Sequence, residues 1–254
     1  MDPADLLLIK TVEMVRNAYG ESRITEQAER LMAAEIETGA FSVGHLITAV
    51  RDSLPDPSEE GSKKPWLTNY RSEAAEMVAR GALASAYSME FPVAPQQAKP
   101  NANQPILGFD GWGLLQIASA HKALVLIQVK GTDENKCPPG EAQKLATECI
   151  NVPQEHSKIS RALVTIFHLL PDDDTLKKDV LLMLEGMGSG NLPTITVAPV
   201  VVRGVTDPHV DDLKPVQDVV ASLTPALARG ATVSIGTNLT NFGHEVMTRA
   251  RTTS

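Results

Sequence analysis

Apolar residues recur at helical spacing from the start of the chain to about residue 53. Leu8, Val12 and Val15 share one face, Ala28, Leu31, Met32 and Ile36 a second, and Leu46, Ile47 and Val50 a third. Gly20 and Gly39 stand where such helices would stop, and Ser42 is placed to cap the third. This spacing predicts two or three helices in an N-terminal module over residues 1–60. Residues 54–65 contain Pro55, Pro57 and Pro65 and no periodic apolar positions, so a loop and a domain boundary are expected there, with 61–254 as the second unit.

Beyond the boundary, the Ala-rich, Pro-free stretch 71–89 carries Ala74, Met77, Val78, Gly81 and Ala82 on one stripe and reads as a single helix. Phe91-Pro92-Val93-Ala94-Pro95 ends it in extended chain. The period then changes to two. Gly108-Phe109-Asp110-Gly111-Trp112 opens a hairpin, residues 118–122 form a polar break, and the apolar run 123–127 leads into Gln128-Val129-Lys130-Gly131-Thr132. A helix is expected from Glu141, with Pro139 just ahead of it. Residues 157–170 are apolar enough for a helix or a buried strand, and 164–170 could be a central parallel strand. Asp172-Asp173-Asp174 read as the N-terminal turn of a helix reaching residue 184. The β-branched stretches 194–202 and 231–235 read as strands, with a helix over 215–228 between them and a last helix over 242–251. Strands alternating with helices after an initial hairpin predict an α/β/α sandwich around a mixed sheet.

Composition narrows the class. With 43% hydrophobic and 21% charged residues the chain is ordinary globular protein rather than a disordered one. No apolar run reaches the roughly 18 residues of a membrane span, and Met1-Asp2-Pro3-Ala4-Asp5 lacks a basic leader, so a cytoplasmic protein is expected. Cys137 and Cys149 have no second pair and no His partners at zinc spacing, which leaves free or buried thiols. None of the six histidines pairs at ligand spacing, and His168, inside an apolar run, reads as a core residue. Gly186-Met187-Gly188-Ser189-Gly190 lacks the Gly-Lys-Ser/Thr ending of a phosphate loop and reads as a flexible turn.

The candidate chemistry lies in the hairpin. Alternation places Gln128 and Lys130 on one face of the second strand with Val129 opposite, and Asp110 at the adjacent strand end. A carboxylate, an amide oxygen and an ammonium meeting there suit a divalent cation and a phosphate. This set resembles the PD-(D/E)xK nuclease superfamily, in which an Asp is followed by a strand carrying Glu or Gln, any residue, and Lys. The resemblance covers roughly residues 70–205. Its layout is most similar to the nuclease subunit of bacterial Hachiman-type anti-phage defence, although many relatives carry Glu where this chain has Gln128. A Gln there is similar to the nuclease domains of nucleotide-signalled (CBASS) effectors.

The resemblance implies a restriction-endonuclease-like α/β/α sandwich with an N-terminal helical extension. It also implies Mg²⁺ or Mn²⁺ held by Asp110, Gln128 and the Val129 backbone carbonyl, and Lys130 acting on water and phosphate. An acidic residue from the preceding helix completes the implied set, Glu73 first and Glu76 second. The implied substrate is DNA and the implied partner a helicase subunit. Against this stands a formal charge of −8, which opposes unassisted nucleic-acid binding. Lys99, Lys63-Lys64, Lys177-Lys178 and Arg249-Ala250-Arg251 are candidate phosphate contacts. The competing expectation is a non-catalytic interaction or scaffold protein carrying a degenerate nuclease fold.

Overall fold

A computed structural model describes residues 3–33, 42–58, 69–99, 108–118, 121–171 and 174–252. Helices α1 (Pro3–Ala18), α2 (Glu21–Ala33), α3 (Val43–Asp52) and α4 (Asn69–Tyr87) precede the sheet. Gly20, at a φ of +91°, ends α1 as expected, and Ser42 occupies the N-cap of α3 without making a side-chain capping bond. Strand β1 (Gly111–Ala118) pairs antiparallel with β2 (His121–Thr132) in the register Gly111↔Ile127. After α5 (Glu141–Asn151), α6 (His156–Leu169) and α7 (Asp174–Gly188), strand β3 (Ile195–Arg203) lies parallel to β2. A short α8 (Lys214–Asp218) leads to β4 (Leu227–Ala228) and β5 (Ala231–Ser234). Both run parallel to β3 along its other edge, and α9 (Leu239–Arg251) follows.

The molecule is thus α/β, with a mixed sheet covered on both faces. Period-2 alternation divides β2 between two apolar clusters. Val125 and Ile127 pack with α1, α4 and α9, while Leu124 and Leu126 pack with α5, α6 and α7. Leu8, Val12 and Val15 of α1 share the first cluster with Ala74, Met77 and Val78 of α4 and Val246 and Met247 of α9. Arg16 of α1 caps the far end of α9, donating to the carbonyls of Arg249, Ala250 and Thr252. Those are the acceptors a helix end leaves unpaired. Gly243 brings α9 onto α4 so closely that a Cβ would lie 2.8 Å from Arg71 Cα.

Several expectations need correction. Residues 164–170 are no strand: α6 runs through Leu169, with Ile159, Ala162, Leu163 and Ile166 buried at helical spacing. The helix expected over 215–228 is broken, because α8 stops at Asp218, a 3₁₀ turn covers Val220–Leu223, and β4 follows Pro225. His168 is exposed, edge-on to Phe167, rather than in the core. Gly186 and Gly188 belong to α7, and only Gly190, at a φ of +85°, lies past its end. Arg249 and Arg251 form no free basic patch, being paired with Glu245 and Asp56. Gly39, Lys63, Lys64, Asp172 and Asp173 lie outside the described residues. Among the described residues no helix is long and apolar enough to cross a membrane.

Candidate functional site

The residues singled out in the hairpin lie where β1 begins and the parallel strands β2 and β3 approach their C-terminal ends. Crevices at such strand ends are where open α/β sheets bind ligands. Asp110 is fixed there by its neighbours. Gly108 turns the chain at a φ of +128°, Phe109 is buried in the α5-side cluster, and a Cβ at Gly111 would approach Ile127 Cδ1 to 2.9 Å. Asp110 then brackets Gln128. Its amide donates to the Ile127 carbonyl at 3.2 Å, and its Oδ2 accepts from the Val129 amide at 2.7 Å.

Alternation along β2 sends Gln128 and Lys130 to the face covered by α5, with Leu126, while Val129 packs toward the α4 side. Gln128 is buried, and among the described residues no side-chain hydrogen bond engages it. Val129 contributes backbone through its amide on Asp110. Lys130 Nζ lies 2.7 Å from Glu148 Oε1 in the last turn of α5, a pair that stays partly open to solvent.

Across the sheet, α4 carries two carboxylates one turn apart. Glu73 is buried and engaged, accepting from Tyr19 Oη at 2.7 Å and pairing with Lys99. Lys99 is therefore consumed inside the protein. Glu76 accepts from Gln96 Nε2 at 3.0 Å, and it is Glu76 that feels the charge of Asp110. Burial, Asp110 and Glu73 together push the Glu76 carboxyl well above its ordinary range, against the opposing pull of Lys99 and Arg80. Burial also raises the Asp110 carboxyl. The Val129 amide and Lys130 work against that rise, and Glu148 adds to it.

Burial is the leading cause of these shifts: Glu73, Glu76 and Asp110 sit where water reaches poorly, and the charges of Asp110 and Glu73 add to the rise at Glu76. Two acceptor atoms here are buried with no hydrogen-bond partner, Gln96 Oε1 and Glu148 Oε2. Among the described residues no group of three or more His, Cys, Asp or Glu side chains is arranged to hold a metal ion. Asp110 and Gln128 are the oxygen-bearing side chains that the hairpin could offer a cation, one carboxylate and one neutral amide, a hard donor pair.

Sequence reading missed Tyr19, Gln96 and Glu148. Only Glu148 left a trace, as a carboxylate in the last turn of a helix where the dipole disfavours it. Comparison with protein-family models, with curated proteins and with solved structures finds no match to this chain.

Proposed function

We propose that this chain is a Mg²⁺- or Mn²⁺-dependent nuclease that hydrolyses phosphodiester bonds of DNA. In this reading the frame is a restriction-endonuclease-like sandwich, and the chain is the effector subunit of a bacterial anti-phage defence complex. One observation carries it. Asp110 is locked by the Val129 amide across from Gln128 and Lys130, with its carboxyl raised by burial and a second carboxylate, Glu76, beside it. Perturbed carboxylates next to a lysine at a strand end are what a site for a cation and a phosphate needs. A helix, α4, then an antiparallel hairpin, β1 and β2, and after α5, α6 and α7 a strand, β3, parallel to β2 support the same reading.

A divalent cation bound here supplies charge stabilisation at the phosphate oxygens. Asp110 and Gln128 would hold it, and Glu76, whose carboxyl burial holds well above its ordinary range, would adjoin Asp110 from α4 without adding a fixed negative charge. Lys130 would orient water for attack on phosphorus and neutralise charge as the ester bond breaks. Water contributes its oxygen to the phosphate, and its proton leaves with the departing alcohol. The net charge of −8 and the paired state of Arg249 and Arg251 support delivery of DNA by a partner such as a helicase.

The test is cleavage of supercoiled plasmid and of linear single- and double-stranded DNA, with Mg²⁺ or Mn²⁺, by wild type beside Lys130→Ala. Wild type should cut, and the variant should lose roughly 100-fold or more while remaining folded. A variant that cuts at the wild-type rate sinks the assignment. Absence of both cleavage and Mn²⁺ binding, with Asp110→Ala indistinguishable from wild type in calorimetry, favours the scaffold reading.

A further inference from the structure

A lysine on a strand end is held in one of its many rotamers only if something opposes its charge. β2 itself offers nothing on that face, since Gln128 is neutral and Val129 points the other way. The opposing charge comes from α5, through Glu148 Oε1 at 2.7 Å from Lys130 Nζ. Lys144–Glu141 and Lys158–Glu155 join residues three apart along the chain, whereas Lys130–Glu148, like Lys122–Glu90 and Arg51–Glu21, joins residues far apart in sequence, here a strand and the helix above it. The second oxygen, Glu148 Oε2, is buried without a partner, so acceptor capacity remains unused. Its place in the last turn of α5 sets the carboxylate against the helix dipole.

We propose that Glu148 is the positioning residue of Lys130, holding its ammonium at the Asp110 end of β2 and supplying from α5 the negative charge that Gln128 lacks. The inference rests on the nuclease reading of this site. The two groups are electrostatically joined to the rest of the site as well, for Glu148 and Lys130 act on Asp110 with opposite sign.

Two measurements on the full-length chain test it. The first is acetylation of Lys130 by acetic anhydride in the folded protein, followed peptide by peptide by mass spectrometry. The second is DNA cleavage by the same preparations, with Mn²⁺ binding followed by calorimetry. Glu148→Gln keeps the side chain's size and removes its charge. Lys130 should then be labelled several-fold faster than in wild type, while exposed Lys158, on α6, is unaffected. Turnover should fall roughly tenfold to 100-fold, the scale of a misplaced catalytic group, with Mn²⁺ still bound. Lys130→Ala/Glu148→Gln should be no slower than Lys130→Ala alone, because Glu148 acts through Lys130. Glu148→Asp, one methylene shorter, should recover part of the loss. Equal labelling of Lys130 in wild type and variant, or losses that multiply in the double variant, overturn the assignment of Glu148. If Glu148→Gln frees Lys130 but wild type neither binds Mn²⁺ nor cuts, the nuclease reading itself falls, and Lys130–Glu148 is an ordinary structural pair.

Discussion

Two charged clusters occupy the same end of the sheet and are built on opposite rules. At the end of β3, Arg203 is fully buried and engages all three of its guanidinium nitrogens. Its Nε and Nη2 go to Asp212, Nη1 to the Glu134 carbonyl at 2.6 Å, and Nη2 also to the Lys136 carbonyl at 2.9 Å. Asp212 accepts in addition from the His209 amide and the Cys137 thiol. Burial alone would raise the Asp212 carboxyl. The hydrogen bonds from Arg203, His209 and Cys137 more than reverse that and hold it below its usual range. At the neighbouring end of β2, Asp110 keeps one backbone hydrogen bond and stays raised, and Glu148 and Gln96 each retain an unused acceptor. A cluster that satisfies itself pins the 133–140 loop to the sheet. One that does not has capacity left for a ligand.

The sharpest way to break this contrast is to remove one cation from each cluster. Arg203→Met strands Asp212 as an unpaired buried charge and should cost about 3–5 kcal/mol in urea unfolding. Lys130→Ala removes a partly exposed partner and should cost only about 0–1 kcal/mol. Equal losses would mean that both clusters are structural.

A smaller effect of opposite sign is expected at Asp110. Asp110→Asn can still accept from the Val129 amide and no longer buries a charge. Its melting temperature should rise by about 2–4 °C, the shift that roughly 1 kcal/mol gives a chain of this size, while metal-stimulated cleavage disappears. Acid titration sharpens the same point. Asp110, raised, must lose its proton before it can hold a cation, so Mn²⁺ binding should fail at a pH above the ordinary Asp value of about 3.9. Asp212, depressed, stabilises the fold at any pH above that ordinary value, and its contribution is lost only as pH falls through its lower folded-state value. Calorimetry and circular dichroism over one pH series should therefore show binding lost before structure. The reverse order would remove the distinction. The mildest change is Gln128→Glu, which replaces a neutral oxygen donor with a carboxylate and, on the nuclease reading proposed above, should keep or raise cleavage at low Mg²⁺. Complete loss would argue against Gln128 as a ligand.

Local pattern was enough to foresee much of the frame. Alternation around the polar break at 118–122 foretold β1 and β2, the Ala-rich stripe foretold α4, and the β-branched run foretold β3, because each is a property of neighbours in sequence. The failures were also local in origin. Residues 164–170 are apolar in a stretch too short to separate strand from helix, and only packing of Ile159, Leu163 and Ile166 against the sheet settles α6. Over 215–228 the helical pattern overruled Pro225, a breaker visible in the chain. For the site, the triplet Gln128-Val129-Lys130 and the Gly-flanked Asp110 could be singled out by residue type and spacing. That Glu73 is spent on Tyr19 and Lys99, that Glu76 is the carboxylate beside Asp110, and that Lys130 is held by Glu148 could not. Periodicity reports which face a residue occupies, whereas an ion pair depends on which helix the fold lays over a strand end. By itself the sequence determined the strands, the helices and the polar residues at their ends; the tertiary packing of α1, α4 and α5 decided which of those charges face one another.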